Sequence, residues 1–408
     1  MIIKRIKDIV RSLGPGFIMA SVVLGPGSIT VASRIGSVYS YSFLWVILIS
    51  AIFMASYTSM SARFGVMNDN SMLQTIAVKY GRWFAIVLGI SAFLSSLSFQ
   101  FGNNLGVGIG MQGITGIDER VWPLIFTPLG IILLFWAKNL YKILEKLMMV
   151  LVMVIIIAFI INLTLTNPQI VPLARGFVPH AVEGDQYSIV SALMGTTFCL
   201  AVAMYYSYLA KNKGWTKGNL KSSLRDTYAG IFMLALVSCV IIITSAASLN
   251  PLGITVNSAA DMAMQLESLF GVYAKIIFSL GLCAAAFSSL MVNSVVGGGL
   301  LADGLGMGRS MNEKKPRFFI LAILLAGMLI AVFMRGNIIY SLILAQAASI
   351  LSVPLIAFGM VLVMNSKEIM GVHRNNIWQN IIAFAGLLSI SLMVYYMYRT
   401  LILHLGAV

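Results

Sequence analysis

Apolar runs of about 20 residues follow one another along almost the whole chain, and each is long enough to cross the hydrocarbon core of a membrane as a helix. Only 10% of the 408 residues are charged and 59% are hydrophobic, whereas a soluble domain carries about 25% charged residues. The sequence therefore predicts an all-α integral membrane protein with a single transmembrane domain over residues 1–408.

The apolar runs divide into eleven predicted spans. Their approximate bounds are 14–36, 43–65, 84–112, 121–138, 145–166, 187–210, 228–249, 270–302, 317–334, 338–365 and 376–404. The longest polar connection, near 167–186, contains three prolines and two acidic residues and is predicted to be a surface loop.

The basic residues lie mostly in alternate connections between the spans. If the N-terminus is cytoplasmic, 21 of the 27 Lys and Arg residues lie on the inner side, among them Lys4, Arg5, Lys7 and Arg11, and six lie on the outer side, among them Arg335. This bias predicts a multi-pass protein of the cell membrane, with its N-terminus in the cytoplasm and its C-terminus outside. Because the net charge of +14 is spread over six inner segments, we expect membrane lipid as the partner and no nucleic acid.

No arrangement typical of an enzyme is visible in the sequence. The cysteines and histidines are Cys199, Cys239, Cys283, His180, His373 and His404. The cysteines fall inside predicted spans without a partner at metal-ligand spacing, and the histidines lie in connections or near the chain end. No nucleophile–base pair, phosphate-binding loop or nucleotide motif accompanies them. We expect a protein that is not an enzyme and that has no cofactor and no resident metal.

The tetrapeptide Leu-Gly-Pro-Gly occurs twice near the start of the chain, and its second copy, at 24–27, lies in the middle of the first predicted span. Pro26 removes a backbone donor and clashes with the preceding turn, while Gly25 and Gly27 loosen the helix further. Such residues also form ordinary kinks in membrane helices, but irregular backbone at membrane depth is tolerated only where it is buried in protein or lines a cavity. The sequence predicts a broken helix with Pro26 and Gly27 as its hinge.

Secondary transporters place such breaks in corresponding helices of two inverted repeats, with the substrate between them. The corresponding helix here is the sixth span, five helices later, where Gly195, Thr196 and Thr197 can loosen the helix near mid-membrane. Proline is absent from this stretch, so the signal is weaker than in the first span. We expect a second break at these residues, with Gly195 as its hinge.

Three segments resemble, in the same order, segments of the Nramp (natural-resistance-associated macrophage protein) metal-transporter family. They are GPGFIMASVVLGPGSITVASRIGS in the first span, GLCAAAFSSLMVNSVVGGGLLADG in the eighth and LILAQAASILSVPLIAFGMVLVMNSKEIMG in the tenth. The chain is identified as a divergent, prokaryotic-type member. The resemblance implies a LeuT-like fold of two inverted repeats of five spans, at about 14–166 and 187–365, followed by an extra helix at about 376–404. It also implies transport by alternating access.

The resemblance also implies where a substrate site lies, and there this chain departs from the family pattern. Gly25 and Ser28 stand where the family has a metal-binding aspartate and asparagine, Thr196 stands at a position that gives a backbone carbonyl, and Cys199 replaces a methionine. Gln346 is retained. Gln100 and Asn103 replace two acidic residues linked to proton movement, and Phe287 replaces a glutamine. With Thr197 and Asn293 added for their hydrogen-bonding groups, the candidate substrate-binding residues are Gly25, Ser28, Gln100, Asn103, Thr196, Thr197, Cys199, Phe287, Asn293 and Gln346.

All thirteen Asp and Glu residues fall in connections or near predicted span ends, and a mid-membrane carboxylate is normally a functional residue. A bare dication in a site without charge faces a desolvation cost on the order of 20 kcal/mol per unit charge, so a transition metal is disfavoured. A Mg²⁺ ion that keeps its hydration water is less excluded. A titratable carrier for a coupling proton is equally hard to find, and the nearest candidates are Asp226 and Asp303.

Three interpretations follow. The first, and preferred, is a transporter of a small uncharged polar solute, a sugar such as glucose or a polyol, because amides, hydroxyls and aromatic rings suit such a solute. The second is a divalent-cation transporter, for Mg²⁺ or Mn²⁺, with an atypical site. The third is a non-transporting sensor or scaffold that retains the fold. Polar residues also hold membrane helices together at about 0.6–2 kcal/mol each, which leaves a purely structural role open for Asn103 and Asn293.

Overall fold

The computed structural model describes residues 14–184, 186–309, 313–334 and 337–405, and these residues form helices joined by short connections, without a β-strand. Within this part of the chain, nine helices are long and apolar enough to cross a membrane. The two remaining predicted spans form shorter helices. The first is divided into two short helices, and the fourth is a helix of 15 residues. The prediction of a polytopic all-α protein is confirmed.

The helices follow the predicted spans closely, and we keep the span numbers as their names. In order they are span 1 (Pro15–Val23 and Pro26–Tyr39), span 2 (Leu44–Met67), span 3 (Arg82–Thr115), span 4 (Val121–Phe135), span 5 (Lys138–Leu165), span 6 (Gln186–Thr197 and Leu200–Asn212), span 7 (Leu220–Ser248), span 8 (Ala274–Gly304), span 9 (Lys314–Phe333), span 10 (Ile338–Ala348 and Val353–Asn365) and span 11 (Ile377–Leu405). The two parts of span 10 are joined by a 3-10 turn, Ser349–Ser352.

Short helices occupy connections that the sequence did not assign to helices. They are Met72–Tyr80, Ile170–Gly176, Ala259–Met264, Glu267–Phe270 and Lys367–Met370. The prediction that the connection near 167–186 is a loop is therefore wrong for its first part. The basic residues Lys4, Arg5, Lys7 and Arg11, and also Arg335, lie outside the described residues, so the orientation in the membrane stays a prediction.

Spans 3 and 8 form the most extensive helix–helix contact, while spans 1, 2, 6 and 7 pack on one another. The contact of spans 3 and 8 depends on close backbone approach. A Cβ added at Gly110 would lie 2.8 Å from the backbone nitrogen of Cys283, and one at Gly304 would lie 2.6 Å from the carbonyl oxygen of Ala85. Small residues of this kind let membrane helices approach closely. The result is a scaffold against which the four helices of the other group can pack.

The first turn of span 1 is capped by a side chain from span 7. The backbone N–H of Gly16 donates to Asp226 Oδ2 at 2.6 Å, and the hydroxyl of Tyr206 donates to the same atom at 3.1 Å. A carboxylate is a good partner for the unpaired N–H groups and the positive dipole end of a helix. Asp226, a candidate for carrying a proton, therefore has a clear structural role. The second candidate, Asp303, accepts a hydrogen bond from Tyr208.

Candidate substrate site at the broken helices

Span 1 is broken at Leu24 and Gly25, as the sequence predicts. Because Pro26 has no N–H, the carbonyl oxygen of Val22 loses its helical partner. The hydroxyl of Ser289, in span 8, donates to that oxygen at 2.8 Å, and the hydroxyl of Ser28 donates to the carbonyl oxygen of Val23 at 2.5 Å. The Ser28 hydroxyl, a predicted substrate contact, therefore donates to the backbone at the break.

Span 6 is also broken, slightly beyond the predicted place. The first helix continues through Thr197, the non-helical residues are Phe198 and the extended Cys199, and the second half begins at Leu200. The hydroxyl of Thr196 donates to the carbonyl oxygen of Leu193 at 2.9 Å, within its own helix. The expectation of a second break is confirmed, but the break lies directly after the predicted residues instead of at them. Cys199 is buried at the start of the second half.

The two breaks lie opposite each other. The N-terminal half of span 6 contacts the C-terminal half of span 1, and the C-terminal half of span 6 contacts the N-terminal half of span 1. Both breaks therefore lie in the same layer of the molecule. This is the arrangement in which discontinuous helices of secondary transporters surround a substrate.

Gln346 of span 10 lies between these elements and is buried. A Cβ added at Gly27 would lie 2.3 Å from Cδ and Nε2 of Gln346, and one at Gly102 would lie 2.5 Å from Nε2. A Cβ at Gly195 would lie 2.5 Å from the carbonyl oxygen of Gln346. The structure thus brings predicted residues of spans 1, 6 and 10 together, and adds Gly102 of span 3, which the sequence analysis did not single out.

Span 3 presents buried amides toward the break in span 1 and toward span 8. Asn103 Oδ1 lies 3.2 Å from the position of a Cβ at Gly25, so the two residues face each other. Asn293 Nδ2 donates to the carbonyl oxygen of Ser96 at 2.7 Å and to Oε1 of Gln100 at 3.2 Å. Because a carbonyl oxygen can only accept, these bonds fix the orientation of both amides and leave Nε2 of Gln100 as the group without a partner.

Three amide atoms of predicted site residues are buried without a hydrogen-bond partner, namely Gln100 Nε2, Asn103 Nδ2 and Gln346 Oε1. A buried polar group left unpaired costs about 1–3 kcal/mol, so native structures seldom tolerate a group of them. A ligand that offers hydrogen-bonding groups at this place would recover that cost.

Other candidates lie at the edge of this group. Phe287 packs against span 4, with its ring centroid 5.2 Å from that of Phe126, and its assignment to the substrate site stays a prediction, as do those of Thr197 and Cys199. Ser289, which completes the break in span 1, was missed. The signal was present, because Ser289 belongs to the quoted span 8 segment that resembles the Nramp family.

The side chains that face the two breaks carry no charge. Among residues 14–184, 186–309, 313–334 and 337–405, no group of three or more His, Cys, Asp or Glu side chains is placed to hold a metal ion. The groups that face the breaks are amides, hydroxyls and backbone carbonyls, which bind cations weakly unless water or charge assists them.

The sequence model of the natural resistance-associated macrophage protein-like family, Nramp, matches residues 16–400. The chain belongs to the Nramp family. The description of this member as divergent is not borne out by a match of that extent. Among curated relatives of this Nramp chain, the "Divalent metal cation transporter MntH" of Caldanaerobacter subterraneus subsp. tengcongensis is 23% identical over 372 residues, which cover 90% of this chain and 87% of the relative.

Solved structures agree with the Nramp assignment at the level of the fold. The manganese transporter of Eremococcus coleocola matches with a TM-score of 0.77 and 16% identity, covering 94% of this chain and 85% of that one. MhsT in complex with L-phenylalanine matches with a TM-score of 0.61 and 17% identity, covering 93% and 98%. Both are LeuT-fold transporters, so the predicted fold class is confirmed. The division into inverted repeats stays a prediction.

Proposed function

We propose that this Nramp protein is a secondary transporter, not an enzyme, that moves a divalent cation, Mg²⁺ or Mn²⁺, across the cell membrane by alternating access. The observation that carries the proposal is the pair of opposed breaks in spans 1 and 6, found in a chain whose relative in Caldanaerobacter is called a divalent metal cation transporter. The preferred expectation of a sugar or polyol is not supported by the comparisons, which favour the divalent-cation alternative.

A cation that keeps part of its hydration shell fits the neutral groups around the two breaks. Mg²⁺ gives up its water reluctantly and is usually bound through several retained waters. Those waters would donate to Gln346 Oε1 and to backbone carbonyls at the break in span 6, so that no carboxylate has to touch the ion. Retained water also avoids much of the desolvation cost that disfavours a bare ion in this site.

Hydrogen bonds tie the two halves of span 1 to span 7 and to the connection that follows it. At one end, Asp226 caps Gly16 at 2.6 Å. At the other end, Arg34 Nη1 donates to the carbonyl oxygen of Val256 and to Asn257 Oδ1, each at 2.6 Å. Alternating access then requires that one of these two sets of contacts opens while the other stays closed. We place the hinge of this motion at Pro26 and Gly27, with Gly195 at the second break, and the N-terminus in the cytoplasm.

A second candidate function is transport of a neutral polar solute, which the unpaired amide atoms at the site favour. Gln100 Nε2 and Asn103 Nδ2 are unpaired donors, and Gln346 Oε1 is an unpaired acceptor. A hydroxyl group needs one donor and one acceptor when it leaves water, so a polyhydroxylated solute would satisfy all three atoms. Coupling of transport to a proton stays a prediction, with Asp226 and Asp303 as the nearest titratable candidates.

The thermal unfolding of the purified protein in detergent, titrated with Mg²⁺, Mn²⁺ and a panel of sugars and polyols, tests the proposal. A ligand at 100 times its Kd stabilises a protein by about 2.7 kcal/mol. We expect saturable stabilisation by a dication that is lost in Gln346→Ala and kept in Gln74→Ala, a matched change in the short helix Met72–Tyr80. Stabilisation by a neutral solute alone would refute the cation and support the second candidate. Stabilisation by neither would return the protein to the sensor or scaffold interpretation.

A further inference from the structure

The side chain of Gln346 lies in a slot between two glycines on different helices, Gly27 of span 1 and Gly102 of span 3. The distances from added Cβ atoms to the Gln346 carboxamide are 2.3 Å at Gly27 and 2.5 Å at Gly102. Real Cβ atoms do not approach other atoms that closely, because protein interiors are packed to van der Waals contact. The carboxamide therefore occupies the volume that an alanine at either position would need.

The slot leaves one atom of the carboxamide without a partner. Gln346 is 1% exposed, and its Oε1 is buried with no hydrogen-bond donor. The backbone of Gln346 is fixed as well, because the hydroxyl of Ser349 donates to its carbonyl oxygen at 2.6 Å and Gly195 packs on the same oxygen. A fixed backbone and a confined amide together hold Oε1 in one place, next to the break in span 1.

We propose that Gly27 and Gly102 form a slot that positions the Gln346 carboxamide for the cargo, so that the two glycines determine which cargo the site accepts. This inference rests on the proposed function. The glycines are positioning residues, since they act through Gln346. A larger residue in the slot would displace the amide and change both the size of the site and the direction of its acceptor.

The Gly102→Ala variant tests the slot most directly, because the atom that its Cβ would meet, Gln346 Nε2, is the far end of a flexible side chain. The next nearest atoms to its added Cβ, at 3.8 Å and 3.9 Å, are Gln346 Cδ and Ala345 Cβ, which are at ordinary contact distance. The helices can therefore stay in place while Gln346 turns out of the slot. Gly299→Ala is the matched control, since its Cβ would meet only Tyr205, at 3.6 Å.

The first measurement needs no cargo. The unfolding temperature is compared for the wild-type protein, Gly102→Ala, Gln346→Ala and the double variant, as a double-mutant cycle. We expect Gly102→Ala to lower the unfolding temperature in the presence of Gln346 and to have no further effect once Gln346 is Ala. An equal loss in both backgrounds would show that the slot does not hold the amide, and would overturn the inference.

The second measurement is the Kd for Mg²⁺ and Mn²⁺, obtained from the same unfolding assay. We expect Gly102→Ala to weaken binding by at least about tenfold, the equivalent of one hydrogen bond, while Gly299→Ala binds like the wild-type protein. Wild-type affinity in Gly102→Ala would refute the slot. Absence of binding in the wild-type protein would instead refute the proposed function, so the two failures are distinguishable.

Discussion

The breaks in spans 1 and 6 lie in the same layer of the molecule, but different kinds of residue form them. In span 1 the break is made by Pro26 with a glycine on each side, and two of the carbonyl oxygens at the break, those of Val22 and Val23, accept from the hydroxyls of Ser289 and Ser28. In span 6 the two non-helical residues, Phe198 and Cys199, are neither proline nor glycine. Side-chain hydroxyls therefore serve part of the first break.

The second break is left open. Among the described residues, no backbone N–H outside the regular helices and no side chain donates to the carbonyl oxygens of Thr196, Thr197 and Phe198. Unpaired carbonyls at membrane depth are costly unless a cavity or a ligand satisfies them. The difference teaches that hydroxyls of the protein serve the carbonyl oxygens of Val22 and Val23, whereas the three carbonyl oxygens at the break in span 6 are available to accept hydrogen bonds.

The largest expected effect on stability is that of Gly195→Ala, beside the break in span 6, and we compare it with Gly25→Ala in the break of span 1. Gly195→Ala should lower the free energy of unfolding by about 1–3 kcal/mol or more, because its Cβ would lie 2.5 Å from the backbone oxygen of Gln346, which cannot move away. Gly25→Ala should cost less than about 1 kcal/mol, because it meets side-chain atoms of Ser289 and Asn103 at 3.1 Å and 3.2 Å. Unfolding in detergent checks both, and equal losses would contradict the difference in rigidity.

An intermediate effect is expected at the hydroxyl that completes the first break. Ser289→Ala leaves the carbonyl oxygen of Val22 buried and unpaired and should cost about 1–3 kcal/mol of stability. Ser294→Ala is the matched control in span 8, since its hydroxyl donates to Met291, a carbonyl of its own helix. If the two variants lose equal stability, the carbonyl of Val22 does not depend on Ser289.

The smallest effect is expected at the second break. Thr196→Val removes a hydroxyl that donates only to Leu193 O, inside the same helix, and should change stability by no more than about 1 kcal/mol. The same unfolding measurement serves here. A loss as large as that of Ser289→Ala would mean that both breaks depend on hydroxyl groups, and the contrast between them would disappear.

The sequence predicted the fold more completely than the site, for physical reasons that particular residues show. The length of the apolar runs and the presence of Pro26 are local features of the sequence, so they predicted the spans and the break in span 1. The break at Phe198 and Cys199 contains no proline or glycine, so the neighbouring Gly195, Thr196 and Thr197 indicated it only approximately. The slot around Gln346 joins Gly27 and Gly102, which are far apart in sequence, and no spacing rule could pair them.

The sequence could not identify the substrate for another reason. The lack of a charged side chain at Gly25, Gln100 and Asn103 favoured a neutral solute, and a hydrated Mg²⁺ ion was only the less excluded cation. Water held by a cation can replace a direct ligand, and a sequence does not record water. The relatives of this chain favour a divalent cation, and the roles of the individual site residues stay predictions.

The cap on span 1 ties the start of the molecule to a residue made much later. Asp226 lies 210 residues after Gly16, and a ribosome adding about 5–20 residues per second needs roughly 10–40 s to cover that distance. During that interval the nine-residue half-helix Pro15–Val23, shorter than the roughly 12–15 residues at which an isolated helix in water becomes even marginally stable, lacks its carboxylate cap. The cap on the first turn of span 1 therefore forms only after the start of span 7 has been synthesised.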